Sequence, residues 1–265
     1  MDVTLWERKG RNLRLTQAGE LLLQTAQQVL PVLEQAENML KAYGEGRQGV
    51  LRIGVECYPC YEWLTSVIGT FLEQMPDVDI DIVNKFQFSG MEGLLNHHID
   101  ILVTPDQERK EAIHYEELAK YELVLLTASQ HTLANQHIIK PEHFANETLL
   151  TFPVHATRLD ILNHFLSPAY IMPKSIKKMG SIDLMLQMVA LGRGVCVLPE
   201  WLADSYAKKI QIKKHRLGKQ GIQKQLFVAL RKQDRTVPYI RQFIQTGKKE
   251  ASQLAATPTD NGRVI

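Results

Sequence analysis

The chain has 265 residues, 45% hydrophobic and 23% charged, with 31 Lys and Arg against 29 Asp and Glu for a net charge of +2. That length suits two modest domains of ordinary globular composition, and so small a net charge excludes a polycation, leaving any nucleic-acid contact to a local cluster. An odd count of 3 Cys argues against a secreted disulfide framework, apolar runs stop short of the ~18 residues that span a membrane, and no signal peptide is read, so the expectation is a cytoplasmic chain with no membrane partner.

Residues 6–20 place four cations, Arg8, Lys9, Arg11 and Arg14, around a turn residue, Gly10, and run into a long helix. A short basic hairpin feeding a helix has the shape of a DNA-binding wing: its cations sit on phosphates, and the tight turn brings the loop close to the backbone. A solvated basic turn is the plainer alternative. From residue 15 onward Leu15, Gly19, Leu22, Ala26, Val29, Leu33, Ala36, Leu40 and Tyr43 repeat at 4–3 spacing, an a/d seam. Thr16 is placed to cap this helix, and Gly44, Gly46 and Gly49 to stop it. A rod of roughly 40 Å cannot bury such a seam on a small wing. An identical helix is the simplest partner, which makes Leu22, Ala26, Val29, Leu33, Ala36 and Leu40 the dimerisation residues; packing against the rest of the chain is the alternative. Pro31 predicts a kink or bulge opposite the seam.

Beyond Gly49 strand-like and helical runs alternate. Strands are read at 50–56, 78–83, 99–103, 122–127, 149–152, 195–198 and 226–230, and helices at 61–74, 91–98, 158–165, 182–191 and 238–245. Such alternation predicts an α/β fold with parallel sheets. The expected organisation is a wing remnant at 1–15, a linker helix at 16–46, a two-lobed region at 47–250 and a polar tail at 251–265. One lobe takes 50–127 and 225–250, the other 128–224, leaving a ligand cleft outside the strand ends between them.

Arg11, Leu13, Leu15, Thr16 and Gly19 resemble the close of the wing in LysR-type transcriptional regulators, and Val-Ala-Leu-Gly-Arg-Gly-Val-Cys-Val-Leu-Pro at 189–199 resembles a helix–turn–strand element of the same family. Gly192 and Gly194 let the chain turn sharply there. The resemblance implies a periplasmic-binding-protein-like effector domain, preceded by a linker helix and the remnant of a winged helix-turn-helix, most of which lies outside the sequence. It implies DNA and RNA polymerase as partners, a homodimer or homotetramer, and no catalysis. Blocks 56–65, 147–154 and 158–166 resemble the methionine-biosynthesis branch of the family, which implies homocysteine as coinducer; composition and spacing do not show that ligand. No other cofactor and no metal is expected.

Cys57-Tyr-Pro-Cys60 lies between a strand and a helix. Its first thiol can be acidified by the helix N-terminus, so four readings stay open: ligand-site lining without thiol chemistry, a redox- or ligand-sensing pair, a metal site and a thiol oxidoreductase. Fold position adds Thr104 and Pro105 after one strand, Phe152, Pro153 and His155 after another, and Ser181 as the cap of a helix, where free N–H groups suit a carboxylate. With Cys57, Tyr58 and Cys60 these are the candidate effector contacts. Arg158 either pairs a ligand carboxylate bidentately, or is a local salt bridge with Asp160 or a surface charge. The run Lys208, Lys209, Lys213, Lys214 and Arg216 is read as a solvated face, as are His97 and His98. No nucleophile elbow, phosphate loop or metalloprotease helix is present. A stand-alone amino-acid-binding protein is the alternative to the regulator.

Overall fold

A computed structural model describes residues 3–9, 12–44, 49–84 and 89–256. In chain order the elements are β1 (Trp6–Lys9), β2 (Asn12–Leu15), α1 (Gln17–Gly44), β3 (Gly49–Val55), α2 (Tyr58–Gln74), β4 (Val78–Ile82), α3 (Gly90–Leu95), β5 (Ile101–Thr104), β6 (Ile113–Ala128) and β7 (Ile138–Ile139). There follow β8 (Thr148–Thr151), β9 (Ser175–Lys178), α4 (Ile182–Ala190), β10 (Val195–Pro199), α5 (Glu200–Ala207), β11 (Ile212–Leu217), β12 (Ile222–Arg231) and α6 (Pro238–Ala256). Two compact units emerge: unit 1 holds Met1–Glu56, Ile68–Glu116 and Val228–Thr246, and unit 2 holds Cys57–Val67, Glu117–Phe227 and Gly247–Ile265. Among the described residues no helix is long and apolar enough to cross a membrane.

Unit 1 begins with the basic hairpin. β1 and β2 pair antiparallel with Glu7 opposite Arg14 and Arg8 opposite Leu13, so Arg8 and Arg14 lie on different faces of the ribbon. Thr16 closes it onto α1: its hydroxyl accepts from the Gly19 N–H (3.1 Å) and donates to the Thr4 carbonyl (2.7 Å). A Cβ at Gly19 would overlap the Leu5 carbonyl, so a glycine here lets the chain before β1 sit directly on the helix. α1 runs unbroken through Pro31 for 28 residues, about 42 Å at 1.5 Å per residue. Leu22, Val29, Leu33 and Leu40 on it are exposed, while Pro31 is buried.

The rest of unit 1 is a parallel arrangement of β4, β3 and β5, followed by the end of β12. Leu51, Ile53 and Val55 of β3 and Ile101, Leu102 and Val103 of β5 are fully buried, as expected of strands covered on both faces. Phe71 of α2 meets Phe243 of α6 edge to face at 5.5 Å.

In unit 2 the strands run β6–β10–β8–β9, with β11 beside β6 and β7 beside β11. Alternation along β6 divides the core. Val124 and Leu126 face α4 and α5 together with Leu150, Cys196 and Leu198. Leu125 faces the other way with Leu149, Val195, Leu217, Phe144 and Leu166.

Several expectations need correction. The sheet is not purely parallel: β6 pairs antiparallel with β10 and β11. β6 starts at residue 113 rather than 122, because its first half is polar and half-exposed. The helix read at 158–165 is a short 3-10 turn (Ala156–Arg158) followed by a π-helical turn (Ile161–Leu166), which Pro168 in the next turn ends. The helix read at 91–98 stops at Leu95, and His97 lies in the left-handed region (φ 59°). β9, α5 and β11 were not anticipated. Part of the basic run is strand β11, and there Lys214 binds Glu200 and Asp204 and Arg216 binds Glu122. Both cations tie elements of the unit together, Lys214 half-buried and Arg216 from an exposed position. The polar tail begins later than read, since α6 continues to Ala256; residues 257–265 lie outside the described residues.

Candidate functional site

The sequence directs attention to the residues after β3, and each unit, taken by itself, holds a group that includes some of them. In unit 2, Cys57 and Cys60 are joined as a disulfide across the first turn of α2. The Cys60 N–H points back at the Cys57 carbonyl and Sγ, both at 3.1 Å. Cys57 is half-buried and Cys60 is buried. Between them Tyr58 opens α2, and its ring stacks on Phe152 with centroids 4.6 Å apart and planes 3° from parallel. Such a pair contributes about 0.5–1.5 kcal/mol beyond its buried area.

Phe152 follows β8. There the Thr151 carbonyl accepts from the Met179 N–H (2.8 Å), bringing the β9–α4 connection alongside. Ser181 caps α4, its hydroxyl accepting from the Leu184 N–H at 3.3 Å. Met179 packs into the same apolar cluster as Tyr58 and Phe152. Thus an aromatic pair is flanked by the opening turn of α2 and, through Met179, by the chain leading into α4. Helix N-termini carry free N–H groups and the positive end of the dipole, which suits a carboxylate.

In unit 1 a carboxylate sits where β3 and β5 end. Glu56, directly after β3, accepts from the Gly90 N–H at the start of α3 (3.0 Å) and from the Thr104 hydroxyl at the end of β5 (2.9 Å). Thr104 is buried and also accepts from the Asp106 N–H at 3.2 Å. Its hydroxyl is therefore already oriented within unit 1.

The remaining candidates are scattered. Pro105 is half-buried and Pro153 exposed. His155 is exposed, and its Nδ1 accepts from Thr157 as the cap of the 3-10 turn at Ala156–Arg158; its visible role is local. Arg8 and Arg14 of the hairpin are exposed, while the Lys9 side chain and Arg11 lie outside the described residues. Ala26 is half-buried and Ala36 exposed on α1. Sequence reasoning passed over Glu56 and Met179, whose partners lie far away in the chain. The third cysteine, Cys196, is buried in β10, and burial pushes its thiol far up; it is no nucleophile. Among the described residues no group of three or more His, Cys, Asp or Glu is arranged to hold a metal ion.

The model of the LysR substrate binding domain matches residues 44–252. The chain belongs to the LysR family of transcriptional regulators. This is a non-enzymatic family whose members bind DNA, oligomerise and take small-molecule coinducers in their effector domains. The match spans both Cys57 and Cys60, which sets the oxidoreductase reading aside. Among curated relatives, the regulator MetR of Escherichia coli K12 is 36% identical over 247 residues, 93% of this chain and 76% of that protein. Among solved structures, the regulatory domain of MetR from Neisseria meningitidis is 32% identical with a TM-score of 0.71, covering 77% of this chain and 94% of that one. A form of that domain with two cysteines, three apart in sequence, replaced by serine is 31% identical with a TM-score of 0.70, covering 77% and 95%.

Proposed function

We propose that this LysR-family chain is the sensing part of a regulator of methionine-biosynthesis genes, and that its coinducer is homocysteine. The stacked Tyr58–Phe152 pair beside the opening turn of α2 carries the reading. It offers an apolar wall for a short aliphatic side chain next to the positive end of the α2 dipole, which favours a carboxylate. Cys57, Tyr58, Cys60, Phe152 and Ser181 form the contacting set in unit 2. In unit 1, taken by itself, Thr104 and Pro105 are the candidate contacts, and Glu56 beside Thr104 would suit an ammonium group. Identity with MetR proteins over most of the chain supports the assignment.

On this reading residues 1–15 are the end of a DNA-binding wing, with Arg8, Lys9, Arg11 and Arg14 on phosphates. Residues 16–46 are the linker and dimerisation helix, and 47–250 the effector domain. RNA polymerase is the downstream partner. The coinducer acts by binding one arrangement of the regulator better than another.

Calorimetric titration of the reduced protein with L-homocysteine, with methionine, cysteine and O-acetylserine as controls, tests the proposal. Selective heat with homocysteine is expected. A folded sample that binds none of them, or binds a control better, overturns the coinducer assignment and leaves the family unchanged.

A further inference from the structure

Within unit 1 the long helix α1 meets the strands at a buried charge network. Asp100, only 2% exposed, precedes β5. It accepts from the Arg52 backbone N–H (3.0 Å), from the Arg52 guanidinium (3.2 and 3.3 Å) and from Arg231 Nη2 (3.2 Å). Arg231, 5% exposed, also donates to the Leu94 and Ile99 carbonyls (2.7 Å each) and to Asp234 (2.6 Å). The two carbonyls flank the α3–β5 turn, and that turn holds His97 in its left-handed conformation. Arg52, Asp100 and Arg231 thus lock β3, β5 and β12 together by charge-assisted bonds in a water-poor setting.

Gln35 of α1 reaches into this network with both ends of its amide. Its Nε2 donates to Asp100 Oδ1 at 3.3 Å, and its Oε1 faces His97 Nδ1 at 3.2 Å. Both contacts cross more than sixty residues of chain and tie one helical turn to two points fixed by Arg231. Pro31, one turn earlier on the same face, is buried. A planar amide held at both ends sets the rotation of the helix as well as its distance. Apolar contacts along a smooth helix do not, because they tolerate sliding.

We propose that Gln35 is the positioning residue that fixes the rotation and angle of α1 on the rest of unit 1, through Asp100 and His97. Any signal passing from the sensing units to the helix then has this amide as its mechanical coupling. The inference does not depend on which coinducer binds.

The test is the distance between spin labels on Gln24→Cys of α1 and Glu73→Cys of α2, both exposed and in unit 1, in a Cys57→Ser/Cys60→Ser background of the full chain. With labelled chains diluted into an excess of unlabelled ones, so that only distances within one chain are read, one narrow distribution is expected when Gln35 is present. Gln35→Leu removes both bonds, and Gln35→Glu sets a second carboxylate against Asp100. Each is expected to shift the held population by about tenfold, the weight of one charge-assisted hydrogen bond, and to broaden the distribution with the melting of unit 1 little changed. The exposed control Gln28→Leu is expected to stay narrow. Should Gln35→Leu fail to fold, Gln35→Glu, which keeps the stem and shape, decides alone. A narrow distribution at the parent distance in the Gln35 variants, or equal broadening in Gln28→Leu, overturns the proposal.

Discussion

The rings of Tyr58 and Phe152 lie face to face, 4.6 Å between centroids, although 94 positions separate them in the chain. Tyr58 opens α2 and Phe152 directly follows β8, so the stack joins the first turn of a helix to the residue after a strand in unit 2. If this face holds the coinducer, Tyr58→Ala removes one wall of the site. A loss of about tenfold in homocysteine affinity is expected, with Tyr58→Phe close to the parent because the ring, not the hydroxyl, makes the stack. Titration calorimetry of the two variants checks this. Equal affinity in Tyr58→Ala would place the ligand elsewhere.

The Cys57–Cys60 disulfide closes a very short loop. Chain-entropy reasoning assigns such a loop about 2 kcal/mol. Adding reductant is therefore expected to lower the urea midpoint of the oxidised protein by that equivalent and to leave Cys57→Ser/Cys60→Ser untouched. A parent midpoint indifferent to reductant would show that the bridge carries no stability.

How far the sequence revealed these features depended on the range of the interaction. β3 and β10 were legible because each is a short, nearly continuous apolar run, and α1 because its seam repeats over many turns and Thr16 caps it. The first half of β6 was not, since residues such as His114, Glu116 and Glu117 have no strand period, and the chain is held extended by its neighbours. α5, eight residues directly after Pro199, is too short to show a helical period. In the candidate site the CxxC spacing was visible. The Glu56 bonds to Gly90 and Thr104 span 34 and 48 positions and leave no local mark. Lys214 looked like a surface cation for the same reason: both its acidic partners lie on α5, a helix not foreseen.

Asp100 is the common acceptor for Arg52 and Arg231. Asp100→Ala leaves the Arg231 guanidinium, 6% exposed, with Asp234 and two carbonyls but without its central counter-charge. Removing one partner of a buried ion pair costs about 3–5 kcal/mol. Chemical denaturation is expected to show a loss of that size, well above the loss in Asp79→Ala on the exposed side of β4. Equal, small losses would mean that water reaches the network.

His215 is buried on β11, its Nε2 against the Thr127 hydroxyl (2.9 Å) and its Nδ1 against the Gln136 carbonyl (2.7 Å). Burial holds its pKa below the ordinary histidine value of 6.5, and Lys213, His131 and His137 press the same way against the Gln136 carbonyl. With the folded value lowered, the unfolded chain binds the proton more readily. The contribution to stability is complete above about pH 6.5 and falls as pH drops below it. Denaturation midpoints between pH 5 and 8 are expected to decline more steeply on the acid side in the parent than in His215→Gln. Parallel profiles would remove His215 as the source.

The last prediction concerns α1. Leu22, Val29, Leu33 and Leu40 expose 50%, 47%, 54% and 71% of their surface along one helix. Four large apolar side chains in a row at seam spacing are costly to leave in water, about 1.5–3 kcal/mol each when burial becomes possible. Pairing with the same helix of a second chain would cover them while leaving Gln35 free to hold Asp100 and His97 on its own unit. Sedimentation equilibrium is expected to show a dimer or larger assembly. Leu22→Glu with Leu33→Glu should dissociate it, since each pairing would then bring carboxylates into the seam. Gln24→Glu, on the same helix but outside the 4–3 repeat, serves as the control for added charge. A parent that is monomeric at tens of micromolar, or a double variant that assembles as the parent does, would send the search for the dimer contact to another surface.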